Sequence, residues 1–220
     1  MSNVEKIEQD PKHWDRLFAS PGILGIITTI DSGGRVNAAA FGTVARVVHD
    51  PVQIAFTTNT TGKDTYQNIK QTGEFVVNLP SFERGILEKV CIVGLPFAPG
   101  VNELDIAGLT ALPSRVVKPP RIKECPRNFE CGVVWTKEWL DRVMIVGNVV
   151  AASVDADCTD EQGFVNWDNL KAVTYCGAPY NKRPPYQHMF VAAYESMAVS
   201  TPYEGPEVEA YDAKVAELKI

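Results

Sequence analysis

At 220 residues the chain is long enough for one substantial core and too short for two full-sized domains. Hydrophobic residues at 45% beside 22% charged describe an ordinary globule rather than a disordered or fibrous chain. A net charge of −6 argues against a nucleic-acid scaffold, which needs a basic face, while leaving room for a local anion pocket. The first twenty residues, with Glu5, Lys6, Glu8, Asp10 and Lys12, hold no run resembling a signal peptide. The longest apolar stretch, Met144 to Ala152, is interrupted by Asn148 and too short to cross a bilayer, so a cytoplasmic protein with no membrane segment is expected. Cys91, Cys125, Cys131, Cys158 and Cys176 are odd in number and show no C-x-x-C, which reads as buried or idle thiols. With His13, His49 and His188 dispersed, no metal site is expected.

Ile23 to Ile30 is a compact apolar run, Asp31-Ser32-Gly33-Gly34-Arg35 turns, and Val36 to Val48 resumes with small and β-branched residues: a hairpin. Asp50-Pro51 breaks the second strand, and Val52 to Phe56 alternates as a third. Asp64 to Gln71 places Tyr66 and Ile69 three apart, a two-turn helix ended by Thr72-Gly73. Glu74 to Leu79 is a further strand, and Ser81 to Val90 reads as a helix with Ser81 as N-cap and Ile86, Leu87 and Val90 on one face. Leu95 to Pro120 is a loop-rich excursion suited to covering a site or a partner. Strands return at Cys131 to Trp135 and Arg142 to Val154, the latter apolar enough to be buried on both sides or inside a barrel. Gly163 to Tyr186 reads as extended loop. From Tyr203, Val208, Tyr211, Val215 and Leu218 fall at helical spacing. Many strands and few helices predict a mainly β fold, a small barrel with helical inserts, occupying residues 1–200 with a helical tail over 201–220. No G-x-G-x-x-G appears, so a nicotinamide would visit without a Rossmann domain.

Two segments carry chemistry. Thr57-Thr58-Asn59-Thr60-Thr61-Gly62-Lys63-Asp64-Thr65 gathers hydroxyls, an amide and an ammonium between a strand and a helix start, the donor set of a phosphate seat. The same residues also suit a polar turn with a capped helix. Ala38, Ala39, Ala40 and Gly42 have almost no side chain, making either a shelf for a flat ring or a strand packed tightly on a helix.

The order of these elements, with Asn37-Ala38-Ala39-Ala40-Phe41-Gly42-Thr43, His49-Asp50-Pro51, the threonine segment and Gly73 to Leu79, resembles the flavin reductase-like family of FMN-binding split barrels, and within it the flavoredoxin branch. The resemblance extends over roughly residues 15 to 190. It implies a Greek-key barrel, a homodimer and FMN near the subunit interface. It also implies that Asn37, Ala39 and Thr43 face the isoalloxazine, flanked by Ala38 and Ala40. Thr57, Thr58, Asn59, Thr60, Lys63, Asp64 and Thr65 would lie toward the ribityl phosphate, with Asp64 capping the helix or orienting Lys63 and Asn68 steadying the loop. Branch members carry a basic residue near the flavin on the helix where Lys89 stands; Lys89 is read either in that role or as a solvated lysine. Tyr175 to Tyr186 departs from the histidine-containing ending frequent in the family.

An FMN-dependent oxidoreductase is therefore expected, passing electrons from a reduced nicotinamide, NAD(P)H visiting as a transient substrate, or from a redox protein through FMN. No catalytic triad or acid–base pair is legible. The alternative is a non-catalytic module of the same barrel that binds flavin or haem.

Overall fold

A computed structural model describes residues 6, 8, 10, 11, 22–61, 64–175, 190–192, 209 and 213. Its centre is an antiparallel barrel built from β1 (Gly22–Ile30), β2 (Val36–His49), β3 (Val52–Asn59), β4 (Glu74–Leu79), β7 (Arg127–Trp139) and β8 (Arg142–Val154). The sheet order runs β1-β2-β3-β8-β7-β4, and β1 also pairs with β4, through Ile26↔Asn78, Ile27↔Val77 and Thr28↔Val76, so the six strands close in Greek-key order. Two short strands, β9 (Val173–Tyr175) and β10 (Phe190–Ala192), extend the sheet beyond β1. Helix α1 (Asp64–Thr72) links β3 to β4, α2 (Arg84–Val93) follows β4, and α3 (Glu103–Ala107) precedes the two-residue pair β5 (Ala111–Leu112) and β6 (Arg121–Ile122). A last short helix, α4, spans Trp167–Leu170.

Strand alternation sorts the apolar residues into two cores. Ile27, Ile54, Phe56, Phe75, Val77, Cys131 and Ile145 fill the barrel, where the Phe56 and Phe75 rings meet edge to face at 5.3 Å. Leu24, Ile26 and Ala38, on the other face, receive Leu87, Val90 and Val93 from α2 and Leu104 and Ala107 from α3. Each fully buried aliphatic there contributes about 1.5 to 3 kcal/mol, which holds both helices against the outside of β1 and β2.

Several elements differ from the sequence expectation. β3 runs on to Asn59 because Thr57, Thr58 and Asn59 pair with Met144, Val143 and Arg142 of β8, so the first third of the threonine segment is strand rather than loop. α2 starts at Arg84, not near Ser81: Ser81 forms a bridge with Ala172 and Phe82 N–H donates to Lys171 at 2.7 Å, so the chain stays extended past the predicted cap. β7 is longer than predicted at both ends. β8 is buried in its first half but exposes Val150 and Val154 in its second, so it is not buried on both sides throughout. The excursion holds α3 and β5, with β6 directly after it, and α4 and β9 interrupt the predicted loop after Gly163. The predicted tail lies outside the described residues except Glu209 and Ala213, both helical and exposed. No helix among the described residues is long and apolar enough to cross a membrane.

Candidate functional site

β2 is paired unequally on its two edges. Toward β1 the ladder runs from Val36 to Val44, whereas toward β3 it begins only at Ala45↔Ala55. Among the described residues, residues 37–43 therefore have one edge with no strand beside it. A bulge accompanies the divergence, since Ile23 pairs Val44 while Gly25 pairs Phe41, leaving Gly42 and Thr43 as the irregular residues. The Thr43 hydroxyl bridges the gap: it accepts from Thr57 N–H at 3.1 Å and donates to the Thr57 carbonyl at 3.2 Å.

A cleft of about 210 Å³ lies along this free edge. Asn37, Ala38, Ala39, Ala40 and Phe41 form its floor, the first turn of α1 gives Asp64, Thr65 and Gln67, and Val93 to Phe97, Pro99 and Glu103 form the far wall. Two carboxylates fasten that wall across the opening. Glu103 Oε2 accepts from the Ala38 N–H at 2.8 Å, and Asp64 Oδ2 accepts from the Gly100 N–H at 3.2 Å. Beneath the floor is a polar cluster. Asn37 Nδ2 donates to Thr65 Oγ1 at 3.1 Å and more weakly to Thr29 Oγ1 at 3.3 Å, and Asn68 Nδ2 donates to Thr29 Oγ1 at 3.1 Å.

Beside the first turn of α1 the cleft passes into a recess of about 190 Å³ bordered by Asp31, Arg35, Gln67 and Gln71. Asp31 Oδ1 accepts from the Arg35 N–H at 2.9 Å and Oδ2 pairs with Arg35 Nε at 2.6 Å, and these contacts, the backbone one first, hold the Asp31 carboxyl below its ordinary value. Beside Ala40 the cleft meets a second, apolar recess that contains Cys91 and Tyr175. Burial raises the Cys91 thiol, with Glu88 adding to it, and burial followed by the nearby Cys91 raises the Tyr175 hydroxyl.

Of the residues singled out from the sequence, Asn37, Ala38, Ala39, Ala40, Asp64 and Thr65 come together in the cleft. Asn37, however, is buried with its amide nitrogen committed to two threonines rather than held out toward a ligand. The Ala38 N–H, one of the shelf's backbone donors, is taken by Glu103. Thr43, Thr57, Thr58, Asn59 and Thr60 do not line it. Asn59 accepts from Arg142, Thr60 N–H donates to Asp141 at 3.0 Å, and the buried Thr58 Oγ1 has no hydrogen-bond partner among the described residues. Asn68 is bonded to β1 rather than steadying the loop. Lys89 sits apart, its ammonium donating to the Gly108 carbonyl at 2.6 Å beside Glu124. Lys63 and the closing segment from Cys176 to Tyr186 lie outside the described residues. Sequence reasoning missed Glu103 and the Val93 to Pro99 wall, because only the folded chain carries an acid on α3 back to β2, some 65 residues away.

The sequence model of the flavin reductase like domain matches residues 17–175. The chain belongs to this family. An uncharacterised protein of Aquifex aeolicus is 37% identical over 165 residues, covering 73% of this chain and 83% of that one. Among solved structures, flavoredoxin from Methanosarcina acetivorans superposes with a TM-score of 0.73 at 23% identity, covering 93% of this chain and 100% of that chain. Nitrilotriacetate monooxygenase component B from Bacillus cereus does so with a TM-score of 0.73 at 20% identity, covering 90% and 98%. Both structures share the fold.

Proposed function

We propose that this flavin reductase-like protein is an FMN-dependent oxidoreductase that holds the flavin in the cleft along β2. The observation carrying this reading is the free edge of β2 over Asn37 to Thr43, floored by alanines and adjoining the start of α1. A flat tricyclic ring suits that floor because no side chain longer than a methyl projects from Ala38, Ala39 or Ala40, and unpaired edge groups are directional partners for its polar rim. The buried Thr58 hydroxyl, lacking a partner among the described residues, fits a donor reserved for a ligand.

When bound, FMN supplies acceptance and release of a hydride at N5. The chain's part is to position and to tune. β2 orients the ring, the Val93 to Pro99 wall shields it from water, and the Glu103 carboxylate sets the charge beside it. Thr60, Lys63 and the first turn of α1 form the phosphate seat. We infer further that the donor is a reduced nicotinamide or a redox protein and that the protein works as a homodimer.

The first test is a visible spectrum of the purified protein before and after dialysis, followed by titration with FMN. Retained yellow colour or saturable quenching of flavin fluorescence is expected, and no affinity for FMN would overturn the proposal. Turnover with NADH or NADPH separates an enzyme from a module that binds without turnover. For the phosphate seat, Lys63→Ala is expected to weaken FMN by ~1.5 to 3 kcal/mol while leaving riboflavin nearly unchanged, because only FMN carries the dianion. Equal losses for both ligands would move the phosphate elsewhere.

A further inference from the structure

Next to the cleft is a second recess of about 110 Å³, which shares Ala40, Phe41 and Gly94 with it and is otherwise enclosed by Leu24, Gly42, Val90, Cys91, Tyr175 and Phe190. We propose that this recess binds a neutral, single-ring aromatic molecule beside the flavin cleft and so defines the substrate class of that site; the assignment rests on the flavin reading above.

Three observations carry it. The recess has aromatic walls, with Phe41 on one side and the Tyr175 and Phe190 rings 5.6 Å apart at 46° on another, edges and faces that favour a further ring. Its volume is of the order of the ~150 Å³ apolar cavity known to take up benzene, so one six-membered ring fits and a fused pair does not. It also adjoins the cleft, with Ala40, Phe41 and Gly94 lining both, so a ring seated there lies beside the β2 floor. The Tyr175 wall depends on a missing side chain. A Cβ on Gly42 would come 2.5 Å from the Tyr175 ring, so only glycine lets that ring lie against β2. Among the described residues no carboxylate or cation lines the recess, and its thiol and hydroxyl, both raised by burial, stay uncharged at neutral pH. A charged ligand would lose its hydration there with nothing to compensate it.

The probe is fluorobenzene, followed by fluorine NMR with the full chain in unloaded and FMN-loaded forms, while FMN affinity is measured separately by flavin fluorescence. Saturable fluorobenzene binding is expected in both forms. Cys91→Phe, which fills the recess, should weaken it by at least about tenfold, whereas Cys91→Ala should hold it within about threefold and both variants should keep FMN affinity within about twofold. Cys91→Leu serves the same purpose if the phenylalanine does not fold. Binding to the unloaded form that FMN abolishes would mean that the flavin's own benzenoid edge fills the recess, and would overturn the proposal. So would absence of saturable binding in either form, or binding indifferent to Cys91→Phe. Fluorobenzene uptake without any FMN binding would sink the flavin reading and with it the substrate assignment, an outcome distinguishable because the aromatic titration needs no flavin.

Discussion

Thr28 and Thr29 are neighbours on β1, both fully buried, yet their hydroxyls serve two different structures on opposite faces of the barrel wall. Thr28 points outward and donates to the Pro120 carbonyl at 2.5 Å. It joins a cluster in which Asn78 accepts from Ile122 N–H at 2.9 Å and from Asn128 at 3.0 Å while donating to the Ile26 carbonyl at 3.0 Å. Close by, Glu130 receives the N–H groups of Arg115, Val116 and Val117 at 2.8, 2.7 and 3.2 Å. Thr29 points inward, where among the described residues its hydroxyl accepts from Asn37 and Asn68 beneath the cleft. The outward cluster is dense because it must clamp an irregular loop whose backbone has no ladder of its own. The inward one is sparse, leaving the cleft floor dependent on a few neutral contacts and on the two acids that fasten its wall. The contrast teaches that buried polar groups here divide between fixing the fold and shaping the site, and that the two roles should separate under mutation.

The sharpest break in that division is Glu130→Gln. One amide oxygen cannot serve three N–H donors and the new NH₂ group confronts some of them, so a loss of about 3 kcal/mol is expected in urea unfolding, with flavin affinity nearly unchanged. Acid should expose the same contact. Burial raises the Glu130 carboxyl, but the three N–H groups and then Arg121 outweigh it and hold it below its ordinary 4.5. The unfolded chain therefore binds the proton first. The stabilisation is complete above about pH 4.5 and is lost as pH falls through the lower folded value, so Glu130→Gln should flatten the acid limb of the stability curve. Glu124, held down by Thr110 against its own burial, acts in the same direction.

Asn78→Ala comes next. It strips an acceptor from Ile122 N–H and a donor from the Ile26 carbonyl in a fully buried place, at a cost of about 2 kcal/mol, and should loosen residues 113–122 in hydrogen exchange before the rest of the barrel. If either substitution weakened flavin binding as much as it weakened the fold, the separation of roles would be lost.

The two clusters also differ in how far the sequence revealed them. The strands that carry both were legible because β1, β2 and β4 have the small and branched residues and flanking turns that strands require. The cleft floor was legible too, since three alanines in a strand are a local fact. What closes over it was not. Glu103 looks like one acid in a polar loop until α3 is packed on β2, and Asn78 looks like a strand asparagine until Ile122 comes back to it. Lys89 shows the converse: its position on a helix after β4 suggested a role at the flavin, yet the fold gives it a nearer carbonyl at the end of α3. Periodicity fixes which face a residue takes, not which distant segment arrives there.

Glu103→Gln sharpens the comparison from the cleft side. The amide oxygen can still accept from Ala38 N–H, so unfolding should shift by no more than about 1 kcal/mol. Removing a negative charge from the cleft should nevertheless favour an anionic flavin, strengthening FMN by about 0.5 to 1.5 kcal/mol in fluorescence titration and raising the flavin midpoint potential. An unchanged affinity and potential would place the flavin away from this acid.

The smallest effect is expected at Thr65→Val, which keeps the shape and deletes the hydroxyl that accepts from Asn37. Asn37 retains its weaker contact to Thr29, and Thr29 retains Asn68, so no buried donor is wholly abandoned and about 0.5 to 1 kcal/mol of stability should go. The informative quantity is where that loss appears. Asn37 begins the cleft floor and Thr65 lies in the first turn of α1, so their bond sets the spacing between the shelf and the proposed phosphate seat. Relaxing it should weaken FMN more than riboflavin, because only FMN, with its phosphate, spans both parts. A loss of stability with identical change for the two ligands would make this inward cluster a second piece of scaffold, no different in kind from the one around Asn78.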